Sequence, residues 1–315
     1  MKLNQLFNTL RDCRASLIAA LVLLGIGAAN ADNFFDNSIS GVDLGKASGG
    51  TTNGHRNWAI FALSGGVTIT DASATTFNDV IGNVGMANGG SLTLSNSRID
   101  GTVYQDSGGL SNSGGTITGG AIIHDSSYLT AAFNSANSAS GAAAGLATST
   151  GGLMISGGVS PNVLTSTAAS PSALTLNGVS GGITGASGQT YVLNISDLIL
   201  SGVGAVLTLS GTATTNYVIN VNRYMSLGSQ ASIALSGGLT SQNVLFNVKD
   251  NSLGAGGTGT NYDVILSGAS GVAGIILAPN RNVKLTGGSL VTGEVIARGV
   301  SLSASSQVIN PLASP

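Results

Sequence analysis

The chain has 315 residues, 11 Lys and Arg against 13 Asp and Glu, two His and one Cys. Charged residues make up only 8% and the formal net charge is −2, which excludes the dense basic surface that a phosphate-backbone partner requires. Gly contributes 48 residues, yet mean hydropathy is +0.35. Disorder normally pairs low hydropathy with high net charge, so this composition describes a repetitive fold.

The first 31 residues read as a secretory signal peptide. Lys2, Arg11 and Arg14 form a basic start, Leu17 to Ala29 is apolar, and Ala29-Asn30-Ala31 is a small-x-small cleavage signal with the cut after Ala31. The apolar run is short of the roughly 20 residues a membrane span needs. No stable span is expected once it is removed, and the expected location is outside the cell or on its surface. Cys13 lies before the apolar run and leaves with it, so the mature chain is expected to hold no disulfide and no cysteine-based metal site. Residues 32–56 form an N-terminal extension, 57–310 a single β-solenoid domain, and 311–315 a short tail.

Within 57–310 one unit recurs. "SLTLSN" (91–96), "ALTLNG" (173–178), "VLTLSG" (206–211), "SIALSG" (232–237), "DVILSG" (263–268), "NVKLTG" (282–287) and "GVSLSA" (299–304) alternate apolar with small polar residues. That is the period-2 pattern of a strand with one buried side, and a Gly or Asn then supplies the turn geometry. Aligning Leu209, Leu235, Leu266, Leu285 and Leu302 gives recurrence near 20 residues, which points to a solenoid. The uneven spacing leaves a Gly-rich β-sandwich as the competing architecture. Val244, Phe246 and Val248, and likewise Tyr217, Ile219 and Val221, share a parity and are expected to face the interior together. In "GIILAPN" (274–280), Leu277 stands before an Ala278-Pro279-Asn280 corner and is expected to plug the core. Thr286, one residue past Leu285, is expected to face water.

Residues 125–152 break the alternation. Leu129, Ala132, Ala136, Ala139, Ala143 and Leu146 fall at helical spacing, Asp125 or Ser126 can cap the start, and Gly151-Gly152 can end it. A helix over about 127–147 is therefore expected to lie along the solenoid on its small-residue side. Residues 153–172, with Pro161 and Pro171, read as an irregular return. The fold class is all-β: a β-solenoid (β-helix) with one α-helix packed alongside.

"NWAIFALSGGVTIT" (57–70), "IGNVGMANGGSLTLS" (81–95), the Ala-rich helix, "YVINVNRYMSLGSQASIALSGG" (217–238), "NVLFNV" (243–248), "GIILAPN" and "GEVIARGVSL" (293–302) occur in an order that resembles the bacterial ice-binding-protein-like fold. Within that group the sequence is most similar to choice-of-anchor A adhesin-type domains. The resemblance runs from about residue 57 to 309. Such domains usually end in a surface anchor, whereas this sequence ends in "VINPLASP", with no apolar helix, basic tail or sortase-type motif.

Residues that could carry chemistry are sparse. A glycosidase needs two carboxylates facing each other across a sugar, but Glu294 is the sole Glu and the Asp residues occur singly. A β-helix lyase would need Asp250, Asp263, Lys249 and Arg281 to meet on neighbouring rungs. His55 and His124 are far apart in sequence, "GGTGTNYDV" (256–264) is a single, displaced copy of a calcium-repeat pattern, and "NIS" (194–196) reads as strand sequence. No metal, cofactor or catalytic residue is predicted.

The principal functional reading is a non-enzymatic structural or adhesive protein. It would bind an extracellular surface, matrix or glycan through a broad solenoid face. The alternative is ice binding through a flat Thr-rich face, with a polysaccharide-acting β-helix enzyme third. Thr-x-Thr pairs at Thr68/Thr70, Thr116/Thr118, Thr165/Thr167 and Thr212/Thr214 are the candidate face residues, although Thr also suits exposed strand positions in general.

Overall fold

The computed structural model describes residues 58–71, 79–249 and 263–312. The signal peptide, the N-terminal extension, His55, Asp250 and residues 256–262 lie outside them. The 22 strands among these residues join into one hydrogen-bonded system. Every pairing is parallel except Leu153–Gly157 on Gly181–Gly185.

Parallel in-register stacking places each apolar residue over an equivalent one, and three inward ladders result. Leu176, Leu200, Leu227, Leu266, Leu285, Leu302, Ile69 and Leu94 form the first. Ile233, Val272, Val291, Val308, Val80 and Ile99 belong to the second. Leu193, Ile219, Phe246, Ile276, Val295, Ile60 and Val84 form the third. All belong to one buried cluster, so the strands wrap a three-sided prism. Long strands turn its corners at register shifts, between Ile195 and Asp197 and between Ala278 and Asn282.

The Leu alignment drawn from sequence joined two of these ladders. Leu209 pairs with Leu235 on the second side, whereas Leu266, Leu285 and Leu302 stack on the first. The same unit serves both sides because both have one surface in the core and one in water. The triplets at 217–221 and 244–248 do point inward, as expected.

Rung order differs from chain order. Strand Trp58–Ala62 pairs on one edge with Leu290–Ser303 and on the other with Asn83–Met86, so the N-terminal coils stack on the last C-terminal coil. The chain then returns to the far end through helix α1, Ser126–Gly145. Asp125 caps it by accepting from the Tyr128 N–H at 3.2 Å. Its buried stripe contains Leu129, Ala132, Ala136, Ala139 and Ala143, and Leu146 serves as its C-cap. The return is more ordered than its prolines suggested: it holds strand Leu153–Gly157 and a short 3₁₀ turn, Pro161–Val163, that buries Val163.

Leu277 requires a correction. It is fully buried, but with Ile275 and Ile296 beneath α1, while Ile276 and Ala278 enter the interior. The helix covers this side of the prism, so both parities of the strand are apolar and alternation cannot tell inside from outside. Thr286 is exposed, as expected.

Candidate binding faces

The helix-covered side is closed by its own polar contacts. Asn194, Asn220 and Asn247 align on successive rungs. The Asn220 amide donates to the Ala143 carbonyl at 2.8 Å, and the Asn247 amide to the Ser140 carbonyl at 3.1 Å and to Asn220 Oδ1 at 2.8 Å. Ser140 Oγ donates back to Asn247 Oδ1 at 2.6 Å. This ladder satisfies carbonyls near the end of α1 and fixes the helix on the sheet.

The second side is open and flat. Its outward positions run Gly182, Thr208, Ala234, then Ala273, Thr292, Ile309 and Ile81, with Val206, Ser232, Gly271, Leu290 and Gln307 in the adjoining column. Every one is half-buried, so no side chain stands clear of its neighbours. Rungs repeat at about 4.8 Å, and these two columns carry no charge across six rungs, from Gly182 to Ile309. The first charge is Asp79 on the Ile81 rung, whose carboxylate accepts from the Arg98 N–H at 2.6 Å, and Arg98 and Asp100 follow on the next strand, 3.9 Å apart.

The remaining side divides in two. At one end, Ser301, Thr68, Thr93 and Ser111 form one column and Ser303, Thr70, Ser95 and Ser113 the next, giving a hydroxyl grid four rungs long. At the other end ion pairs intrude. Lys284 Nζ lies 2.8 Å from Asp263, and Arg223 grips Asp197 with two contacts of 2.8 and 2.5 Å.

The Thr-x-Thr candidates fall in separate places. Thr68 and Thr70 sit in the hydroxyl grid. Thr116 and Thr118 lie at the charged end of the flat side, where Thr118 donates to Asp100 at 2.7 Å. Thr212 and Thr214 occupy a corner and bond to each other and to Ser187, while Thr165 and Thr167 lie in the return. The flat-side residues do not stand out in the sequence because a third of them are Ala or Gly and only two are Thr. The usable signal is the small residue between inward positions in "VLTL", "SIAL", "GVAG" and "LVTG".

The residues weighed for chemistry are engaged elsewhere. Asp263 is held by Lys284, and Arg281 donates from Nε to the Lys249 carbonyl at 2.9 Å. Glu294 is buried, and His124 Nδ1 lies 3.2 Å from the Gln105 carbonyl. Among the described residues no group of three His, Cys, Asp or Glu side chains could hold a metal. No helix there is long and apolar enough to cross a membrane.

The described residues form a β-solenoid, parallel but for one strand pair, with one side covered by its own helix and two sides uncovered. Residues 38–310 match the model of the ice-binding-like adhesive domain, and the chain belongs to that family. Among solved structures, an ice-binding protein from the Antarctic ascomycete Antarctomyces psychrotrophicus is 18% identical with a TM-score of 0.50. That alignment covers 82% of this chain and 96% of the other. The ice-binding protein LeIBP from an Arctic yeast is 19% identical, TM-score 0.48, covering 82% and 93%. An ice-binding protein from Shewanella frigidimarina is 14% identical, TM-score 0.38, covering 82% and 95%. No curated protein matches the sequence. The likeness at these identities is one of fold.

Proposed function

We propose that this is an exported, non-enzymatic protein that binds ice through its flat side. The observation that carries the reading is the run of six charge-free rungs whose outward side chains, small at Gly182, Thr208, Ala234, Ala273 and Thr292 and apolar at Ile309, are all half-buried. Charged groups hold their own hydration and would oppose an ordered water layer. Thr, stiff at χ1, presents a methyl and a hydroxyl at fixed positions instead. Repeats of about 4.8 Å across strands and about 6.6 Å along them lie near oxygen repeats of the ice lattice. The described solved structures named as ice-binding proteins, and the family description, support the same reading.

The test is growth inhibition of ice crystals. The wild-type protein is expected to inhibit recrystallisation. Thr292→Tyr and Ala273→Tyr, which put a bulky ring on the plane, should each lower potency at least about tenfold, equivalent to roughly 1.4 kcal/mol of surface affinity. Both should melt like the wild type, since outward substitutions usually change stability by under about 0.5 kcal/mol. An inactive wild type, or full activity in both variants, overturns the assignment.

The hydroxyl grid around Thr68, Thr70 and Thr93 favours a second reading, adhesion to a glycan or matrix, in keeping with the adhesive part of the family description. A glycan array probed with wild type and Thr93→Tyr separates the two, because that substitution leaves the flat side intact. We further propose the finer kinship to choice-of-anchor A domains, and export with cleavage after Ala31. N-terminal sequencing of secreted material should begin at Asp32; an intact Met1 product recovered from cytoplasm contradicts this.

A further inference from the structure

We propose that the corner between the helix-covered side and the ion-paired side binds an anionic polysaccharide, with Lys249 and Arg298 as its principal contacts. Six Lys and Arg residues lie among the described residues, and five of them, all but Arg98, sit on four successive rungs at this corner or beside it. Arg223 and Lys284 are neutralised by Asp197 and Asp263. Arg281 is nearly buried and bridges to the Lys249 carbonyl. Arg298 donates from Nε to Asn282 Oδ1 at 3.1 Å. Neither Lys249 nor Arg298 forms a salt bridge with a carboxylate among the described residues.

Two features make this more than a solvated charge run. Burial pushes the Lys249 ammonium below the ordinary lysine range, so a cation with no carboxylate partner among the described residues is partly withdrawn from water. An anion would relieve that cost. The molecule is also polarised. Asp71, Asp79, Asp100, Asp106 and Asp125 belong to the N-terminal coils or their exit, where Arg98 is the one described cation, whereas the other five cations meet only Asp197, Asp263 and Glu294 on their rungs, an excess of two positive charges among the described residues. Such a field steers polyanions to one place.

The geometry selects the kind of anion. Lys249 and Arg298 lie two rungs apart on a rigid edge, about 9.6 Å by the rung repeat, which suits a strand carrying repeated carboxylate or sulfate groups. A bilayer would meet an edge rather than a plane, and the charges are too few for the phosphate density of a nucleic acid. Asn280 is exposed beside this edge and can hydrogen-bond sugar hydroxyls.

The probes are polygalacturonate, dextran sulfate and neutral dextran, titrated by calorimetry against wild type and the double variant Lys249→Gln/Arg298→Gln. The wild type is expected to bind at least one polyanion, to lose affinity as salt is added, and to ignore dextran. The double variant should bind at least about tenfold more weakly, in proportion to the lost cations, with an unchanged melt and unchanged ice activity. No polyanion binding at low ionic strength, equal binding by the double variant, or equal binding of dextran overturns the proposal. So does stronger binding to anionic lipid vesicles. Because the corner is distinct from the flat side, failure here leaves the ice reading standing, and the converse holds.

Discussion

Leu277→Asp is expected to unfold the protein or cost it several kcal/mol, whereas Thr286→Asp, on the same strand system, should melt like the wild type. Leu277 is wholly buried between the sheet and α1, beside Ile275 and Ile296. Its partner on the neighbouring rung is Asn247, and both hydrogens of that amide are committed, to Ser140 and Asn220. A carboxylate there finds no free donor from that neighbour, so it must stay protonated or push α1 away. Burying an unpaired polar group costs roughly 2–7 kcal/mol, against about 5–15 kcal/mol for the stability of a typical domain. Thr286 is exposed, where the change is worth under about 0.5 kcal/mol. Thermal melts of the two variants decide the matter. Equal melting temperatures would mean that α1 does not cover this strand.

Gly293→Ala is expected to be the second most damaging single change, on the order of 3 kcal/mol or more. Gly293 has φ +142 and pairs with Gly274, itself at φ +147. A Cβ at 293 would stand 2.1 Å from the Gly274 carbonyl oxygen and 2.9 Å from its carbon. Both obstacles are backbone, so relief requires moving a rung, and every rung beyond it shares the ladder. Gly141→Ala supplies the contrast. It lies within α1 with no heavy atom near the added carbon, and Ala is favoured over Gly inside a helix by about 1 kcal/mol. Urea denaturation should therefore show the same chemical change with opposite signs at the two sites. A Gly293→Ala variant as stable as wild type would contradict the close approach of the two strands.

The sequence alone determined the parts that local chemistry controls. Alternation in "VLTLSG" and its copies specifies strands with one side in water, and the Leu129–Ala143 stripe specifies a helix that packs closely. The scarcity of Glu, His and Cys leaves little for catalysis. These follow because strand and helix periods, turn residues and composition act over a few neighbouring positions. Thr286 faced water as expected because its strand meets solvent on that side.

Only the tertiary structure decided which rungs touch. Ser301 and Thr68, 233 positions apart in number, are direct neighbours, and the hydroxyl grid exists because the N-terminal coils stack on the C-terminal ones. The flat side arises in the same way, from Thr208, Ala234, Ala273 and Thr292 brought into one plane by register. Leu277 faces the helix rather than the core because α1 buries the outer surface of its strand, and alternation carries no information where both surfaces are dry. The physical reason is common to all three. A repeated unit is compatible with any neighbour of its own kind, so local pattern leaves stacking order degenerate, and the long-range return of the chain through α1 selects one order from many.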